Sequence, residues 1–312
     1  YRVFGSVPVT TTVVAPADAK RVPRCTDDEM YTRLTEDLSE AIDLLPAKKS
    51  AEVARVTKIA AQALLAKVYL TFGKYPEAQA VLEDALKDSS YGLMPVTGDV
   101  FDINKKMNKE IIFALYYNKT NDNGHGYWYS TSTSVMADIK NPTAEFKALY
   151  NESDNRLALI NTYTKINNSL YAMTKWMDTY DAQFTKQVGN DFPLIRYADV
   201  VLMYAEALGQ QGRIADALPY LNQTRTRAGL PELTEAEVSD KKTFIQELAD
   251  ERGREFALEG QRWFDLVRLG LAVDFFKERG YSIDSHELIL PIPQDQIEIV
   301  NDNSILWQNP GF

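Results

Sequence analysis

Between Glu247 and Gly270, in the run ELADERGREFALEGQRWFDLVRLG, charged and bulky apolar residues are interleaved more closely than a solvent-facing helix requires. On a helical period Leu248, Arg252, Phe256, Trp263 and Leu266 share one side, and Glu251, Glu255, Arg262 and Asp265 form a neighbouring stripe. Charges set beside Phe and Trp predict an interior ion network. Arginine suits it because a planar guanidinium grips a carboxylate through two hydrogen bonds and stays charged at any working pH. Gly260 predicts a break between two short helices.

The pattern elsewhere is mostly helical. Residues 1–23, rich in Val, Thr and Pro, show no helical period and read as extended chain. In residues 26–46 the positions Leu34, Leu38, Ala41, Ile42 and Leu45 predict an amphipathic helix, with Thr26 or Asp27 as its N-cap and Pro46 as its stop. Residues 57–86 hold two helical patterns joined at Phe72-Gly73-Lys74-Tyr75-Pro76. There Ala66, Tyr69, Ala78, Leu82 and Ala85 take the spacing of a tetratricopeptide pair, in which small residues let antiparallel helices approach and large ones fill the gaps. A second set appears at Ala205, Leu208, Ala217 and Leu221, with Gly212 in the connection. Ala41 and Pro46 fit the second half of a further pair whose first half is not in the sequence.

Residues 110–116 predict a strand, 118–134 a long polar loop, 142–150 a short helix, and 151–187 an irregular region holding Tyr163, Tyr171, Trp176 and Tyr180. Helices are expected again at 194–209 and 214–228, and Thr243 leads into the charged run. The last forty residues, with Pro291, Pro293 and Pro310, read as mostly extended and turn-rich. The expectation is a mainly α protein of tetratricopeptide-like pairs with an irregular, loop-rich second part. Its divisions are 1–91 (extended segment and helices), 92–190 (aromatic-rich candidate binding region), 191–270 (helical pair and charged run) and 271–312 (tail packing on the body).

Composition narrows the chemistry. With 312 residues, 45% hydrophobic and 25% charged, the chain has ordinary globular proportions. A net charge of −10, with no concentrated Lys/Arg face, argues against a nucleic-acid backbone or anionic lipid as partner. A single cysteine, Cys25, excludes an intramolecular disulfide and a cysteine-rich metal site, and two histidines leave no His-rich zinc site. Lys20-Arg21-Val22-Pro23-Arg24 before Cys25 is unlike a lipoprotein signal, so Cys25 reads as a plain free thiol. Tyr1 opens on a polar, β-branched stretch rather than a signal peptide, and the longest apolar run, near residues 111–117, is far short of a bilayer span.

The candidate binding chemistry is aromatic. Tyr127, Trp128 and Tyr129 stand in a polar loop, where exposed rings call for a cover. A sugar ring provides one: its CH face lies on an indole or phenol while nearby polar groups, here Asp122, Asn123 and His125, meet its hydroxyls. The alternative is that the rings fold back and pin the loop to the helical body. Trp176, Asp178 and Tyr180 form a second, similar cluster. Trp263 is read as structural, and Trp307 as packing the C-terminal tail. No nucleophilic triad, nucleophile elbow or phosphate-binding glycine loop is present. Glu251 and Glu255 could suggest acid/base work, but arginines beside them would keep both ionised, the opposite of what a general acid needs. Asp178 with Asp181, and the run Asn151-Glu152-Ser153-Asp154-Asn155, offer oxygen donors without EF-hand spacing, so they read as solvated loops and no metal site is assigned. No cofactor is called for.

Three motifs carry a family resemblance: Glu251-Arg252 and Arg254 to Ala257 with Glu259-Gly260 and Arg262-Trp263-Phe264-Asp265-Leu266; Arg196-Tyr197-Ala198-Asp199-Val200 with Leu202-Met203-Tyr204-Ala205-Glu206-Ala207; and Leu290-Pro291-Ile292-Pro293 followed by Gln308-Asn309-Pro310-Gly311-Phe312. Together and in this order they resemble the SusD/RagB family of outer-membrane nutrient-binding lipoproteins. The resemblance implies a SusD-like helical fold and a non-catalytic protein on the cell surface of a Bacteroidetes-type bacterium. It would capture a glycan, or in some relatives a peptide, and deliver it to a SusC-like TonB-dependent transporter. Against the family's usual length, an N-terminal part with its signal and lipidated cysteine is expected to be missing through processing, proteolysis or a separate chain, the alternative being a natural short form capped differently. No binding residue carries over from the motifs. A tetratricopeptide adaptor using its concave groove and a helical glycoside hydrolase with two carboxylates across a cleft remain the other readings.

Overall fold

The computed structural model describes residues 1–47, 55–117, 143–161, 163–166, 169–172, 175 and 189–312. In chain order the main elements begin with α1 (Asp27–Leu44), α2 (Lys58–Thr71), α3 (Tyr75–Ala85) and β1 (Ile111–Leu115). Next come α4 (Ala144–Lys147), α5 (Leu157–Asn161), β2 (Tyr163–Ile166), β3 (Ser169–Ala172) and β4 (Phe192–Arg196). The chain continues with α6 (Tyr197–Gln210), α7 (Ile214–Arg227), α8 (Lys241–Glu255), α9 (Arg262–Arg268), α10 (Ala272–Lys277) and α11 (Gln294–Val300). The protein is mainly helical, and no helix among the described residues is long and apolar enough to cross a membrane.

The chain forms two units, one of Ala41–Arg262 and one of Tyr1–Glu40 with Trp263–Phe312. In the larger unit α2 packs on α3 and α6 on α7, and α6 also meets α3 and α8. The small residues of the repeat pattern explain the closeness: Ala66, Ala78, Ala85, Ala205 and Ala217 are fully buried, with Leu82 and Leu221 between the layers. α6 is buried along nearly its whole length, from Ala198 to Gly209. At its end Gly209 leaves room for the Phe244 ring of α8, which a Cβ at that position would overlap at 2.0 Å. α7 and α8 complete the stack.

Residues 194–196 belong to a strand, not to the start of a helix. Leu194 is exposed and Ile195 buried, a period of two, and β4 pairs antiparallel with β1 through Ile111↔Arg196 and Phe113↔Ile195. The helix begins only at Tyr197, whose N–H donates to Glu110 O at 2.8 Å. Part of the stretch read as irregular is also regular: β2 and β3 pair antiparallel, with Tyr163 opposite Ala172 and Ile166 opposite Ser169.

In the smaller unit Arg24 joins the N-terminal extended segment to the C-terminal tail. It donates to Ser6 O at 2.5 Å, Phe4 O at 3.1 Å, Trp307 O at 2.8 Å and Asn309 Oδ1, and lies over the Trp307 ring at 5.2 Å. Asn309 Nδ2 in turn donates to Phe4 O at 3.1 Å and Leu290 O at 2.7 Å, so the two ends of the last motif meet. Trp263 packs edge-on against Phe276 at 5.9 Å. The tail holds more helix than its prolines suggested. Pro293 immediately precedes α11, where a missing N–H removes no helical hydrogen bond, so the proline opens a helix rather than preventing one. α1 starts at a capping box, with Thr26 N donating to Glu29 Oε2 at 2.7 Å and Glu29 N to Thr26 Oγ1 at 3.2 Å. Cys25 is a free thiol that donates to Val7 O.

Candidate functional site

The candidate contacts Asp122, Asn123, His125, Tyr127, Trp128 and Tyr129, and Trp176, Asp178 and Tyr180, lie outside the described residues. What the structure does show is how their two segments are held at the stems. Tyr117, the residue before 118–142, donates its N–H to Asp191 Oδ1 at 3.1 Å, and Asp191 stands three residues after the segment 176–188. Lys106 Nζ reaches the same oxygen at 2.7 Å, donates to Tyr117 O, and sits over the Tyr116 ring at 4.4 Å. Next in the chain, Asn190 Nδ2 donates to Phe101 O at 2.9 Å. One carboxylate and one ammonium therefore bind both stems at a common point. Tyr116, 40% exposed at this point and just past the end of β1, is an aromatic candidate that the expected strand at 110–116 concealed.

The other end of the second segment is tied to the charged run. Lys175, 3% exposed, donates from Nζ to Ala257 O and Glu259 Oε1, each at 2.7 Å, and lies over the Phe101 ring at 4.5 Å. Burial lowers its pKa, partly offset by Glu259. Glu259 also accepts from Arg196 Nε and Nη2, both at 2.9 Å.

From there the network extends inward. Arg196 Nη1 bridges Glu110 Oε1 at 2.8 Å and Glu255 Oε1 at 2.6 Å, and its guanidinium lies over the Phe256 ring at 4.5 Å. Arg227 joins Glu110 Oε2 at 2.7 Å to Glu255 Oε1 at 2.5 Å. Arg156 reaches Glu251 at 2.7 Å, Glu255 at 3.0 Å and Asp154 at 2.8 Å, while Thr224 and Arg254 complete Glu251. The carboxylates of Asp154, Glu110, Glu251, Glu255 and Glu259 are thus matched by Arg156, Arg196, Arg227, Arg254 and Lys175, which makes the buried cluster neutral. Beside it Asp199 takes Lys67 at 2.5 Å and Arg252 at 2.9 Å.

For Glu251, Glu255 and Asp199 burial is the largest single influence and acts to raise the pKa, yet the cations prevail. Arg227, Arg196 and Arg156 hold Glu255 well below the usual carboxylate range, and Arg156, with Arg254 and Thr224, holds Glu251 below it. Burial likewise disfavours the charge on Arg196, but Glu259, Glu255 and Glu110 push its pKa well above its ordinary value. Glu251 and Glu255 are fixed, ionised structural groups with no proton to give. Asp154, read in sequence as part of a solvated loop, is instead buried against Arg156, and its neighbour Asn155 Nδ2 donates to Arg227 O at 3.0 Å. Asp178 and Asp181 lie outside the described residues. Among the partners from outside the charged run, Glu110, Asp154, Arg156, Lys175 and Arg227 had no local signal, since each looks like an ordinary surface charge until the fold joins it to the run.

Comparison with known proteins gives this architecture its relatives. The SusD family model matches residues 139–312, and a second model, described as starch-binding associating with outer membrane, matches residues 1–70. SusD-like protein P2 of Formosa agariphila is 27% identical over 361 residues, an alignment covering all of this chain and 70% of that protein. Starch-binding protein SusD of Bacteroides thetaiotaomicron is 35% identical over 133 residues, covering 39% of this chain and 22% of that one. Among solved structures, a SusD superfamily protein from Parabacteroides distasonis superposes with a TM-score of 0.82 at 24% identity, over 100% of this chain and 75% of its own. A laminarin binding SusD-like protein superposes with a TM-score of 0.79 at 25% identity, over 100% and 75% respectively. The signature run, the helical pairs it stabilises and the matched residues agree: this chain belongs to the SusD family.

Proposed function

We propose that this protein captures oligo- or polysaccharide at the outer-membrane surface and hands it to a SusC-like TonB-dependent transporter, without cleaving it. The observation that carries the reading is the family match over residues 139–312, which spans one of the two aromatic-bearing segments. The names of relatives favour a glycan: one is a starch-binding protein, one binds laminarin, and a surface glycan-binding protein with TM-score 0.78 and 22% identity was solved with laminarihexaose. The outer-membrane description of the model matching residues 1–70 supports the location.

The stems fit this role. The clasp joins one stem of each aromatic segment, and in this reading Trp128, Trp176, Tyr127, Tyr129 and Tyr180 offer rings to a single ligand, with Asp122, Asn123, His125 and Asp178 as hydroxyl partners. Two or three ring platforms contribute about 0.5–1.5 kcal/mol each beyond buried area, and ordering the ligand and loops consumes part of it. The expected Kd is roughly millimolar to micromolar, weak enough for transfer onward.

The test is isothermal titration with starch- and laminarin-derived oligosaccharides, with reducing ends assayed in the same samples. Saturable heat with one glycan class and no new reducing ends supports capture. Absence of binding across a broad glycan panel, or cleavage of the bound glycan, would contradict it.

A further inference from the structure

Lys106 and Asp191, the pair that clasps the two stems, also fix a ring. Lys106 Nζ lies 4.4 Å from the centre of the Tyr116 ring while it donates to Asp191 Oδ1 at 2.7 Å and to Tyr117 O. An ammonium has three N–H groups, and these contacts engage it on three sides, so it cannot leave the ring without giving up the clasp. The contact is attractive because the face of an aromatic ring is negative, and it holds Tyr116 in one orientation. The backbone on either side is held as well. Leu115, the last residue of β1, pairs with Phe192, and Tyr117 N donates to Asp191 Oδ1 at 3.1 Å.

A ring held this firmly is usually buried, and Tyr116 is not. Among the described side chains of the larger unit it is the one aromatic that stands exposed, every other being buried or half-buried. With Lys106 seated on one face, the surface left to solvent is on the other. The exposed rings of the smaller unit have structural work that Tyr116 lacks. Tyr281 meets Phe276 at 6.1 Å across the Gly280 turn that ends α10, where Tyr281 N also donates to Phe276 O. Trp307 lies under the Arg24 guanidinium, Phe312 packs edge-on against His286 at 5.2 Å, and the Tyr1 hydroxyl donates to Asp27 Oδ2 at 3.1 Å.

We infer that Tyr116 is a sugar-binding platform, a preset contact for a pyranose ring at the joined stems of the two aromatic segments. The inference rests on the proposed glycan capture and adds to it a contact that lies outside both segments. The CH face of the sugar lies on the open face of the phenol, opposite Lys106, and removes that surface from water. Because Lys106 has already set the ring's orientation, little freedom is lost when the sugar arrives. The hydroxyl of Tyr116 has no part in this contact; the ring alone supplies it.

Two readouts on the full chain, with starch- and laminarin-derived oligosaccharides as probes, test the inference. In isothermal titration Tyr116→Ala should bind about three- to tenfold more weakly than wild type, and Tyr116→Phe within about twofold, with Tm changes of only a few degrees. In wild type, a saturating oligosaccharide should slow hydroxyl-radical oxidation of Tyr116, read by mass spectrometry, while exposed Tyr281 in the smaller unit keeps its rate. This footprint needs no variant, so it decides the matter even where Tyr116→Ala folds poorly. Wild-type affinity in Tyr116→Ala, or an unprotected Tyr116 beside a bound glycan, overturns the inference and leaves glycan capture standing. Absence of binding by the wild-type chain overturns both.

Discussion

Arg196 Nη1 and Glu255 Oε1 lie 2.6 Å apart in an interior where the side chain of neither exposes more than 1% of its surface. Strand β4 supplies one and helix α8 the other, so this pair ties the end of the small sheet to the helical stack. Arg196 also serves Glu110 and Glu259, and its removal leaves three carboxylates short of a cation. The variant Arg196→Met should therefore lose about 3–5 kcal/mol of stability, the cost of breaking a buried pair from one side. Chemical unfolding followed by circular dichroism measures it; a loss below about 1 kcal/mol, the range of exposed pairs, would contradict the account.

The network should also make the fold acid-sensitive. Glu251, Glu255 and Asp199 have folded pKa values below the ordinary carboxylate range, so the unfolded chain binds more protons as pH falls. Their stabilisation is fully present above the unfolded pKa of about 4 and is lost as pH drops through the lowered folded values. Calorimetry from about pH 6 to pH 3 should show a falling Tm, with a shallower fall in Arg196→Met. A flat profile would show that these acids are not held ionised.

Gly209 should resist replacement by alanine. In most helix interiors that change adds about 1 kcal/mol of stability, but here the new Cβ would fall 2.0 Å from Phe244 Cε1, inside the packed seam of α6 and α8. Gly209→Ala should cost about 1–3 kcal/mol, read as a lowered unfolding midpoint. A stabilised variant would mean that the helices separate more easily than their packing indicates.

The sequence revealed those parts of the fold whose signal is local. Ala66, Ala78, Ala205 and Ala217 marked the helix seams because small residues at fixed spacing have few other uses, and α2, α3, α6 and α7 follow them closely. Charges beside Phe256 and Trp263 announced an ion network, but not its partners. Arg156 is 95 residues from Glu251, and Asp154 looked solvated because a lone acidic residue has the same pattern at the surface as in a buried pair. Leu194–Arg196 read as the start of a helix because no turn residue separates them from Tyr197; only pairing with β1 separates strand from helix. The aromatic candidates stood out as rings without periodicity, a signal that names residues but not what covers them. The Asp191 clasp at their stems joins residues far apart in sequence and left no trace there.

That clasp yields a fourth prediction. Asp191→Ala removes the acceptor shared by Tyr117 N and Lys106 Nζ, and with it the link between one stem of each aromatic segment, while leaving the contacts among the helices in place. Glycan affinity should fall about tenfold or more, with a Tm change of only a few degrees. Unchanged affinity would separate the clasp from binding.

The central claim is glycan capture by the aromatic segments, and the most direct measurement is migration in native gels cast with single polysaccharides, starch and laminarin among them. The wild-type chain would run beside Trp128→Ala and Trp176→Ala. The account predicts retardation by one glycan class that Trp128→Ala, Trp176→Ala or both abolish, with unretarded migration of all three in plain gels. Retardation that survives in both variants, or no retardation by any glycan, would contradict it.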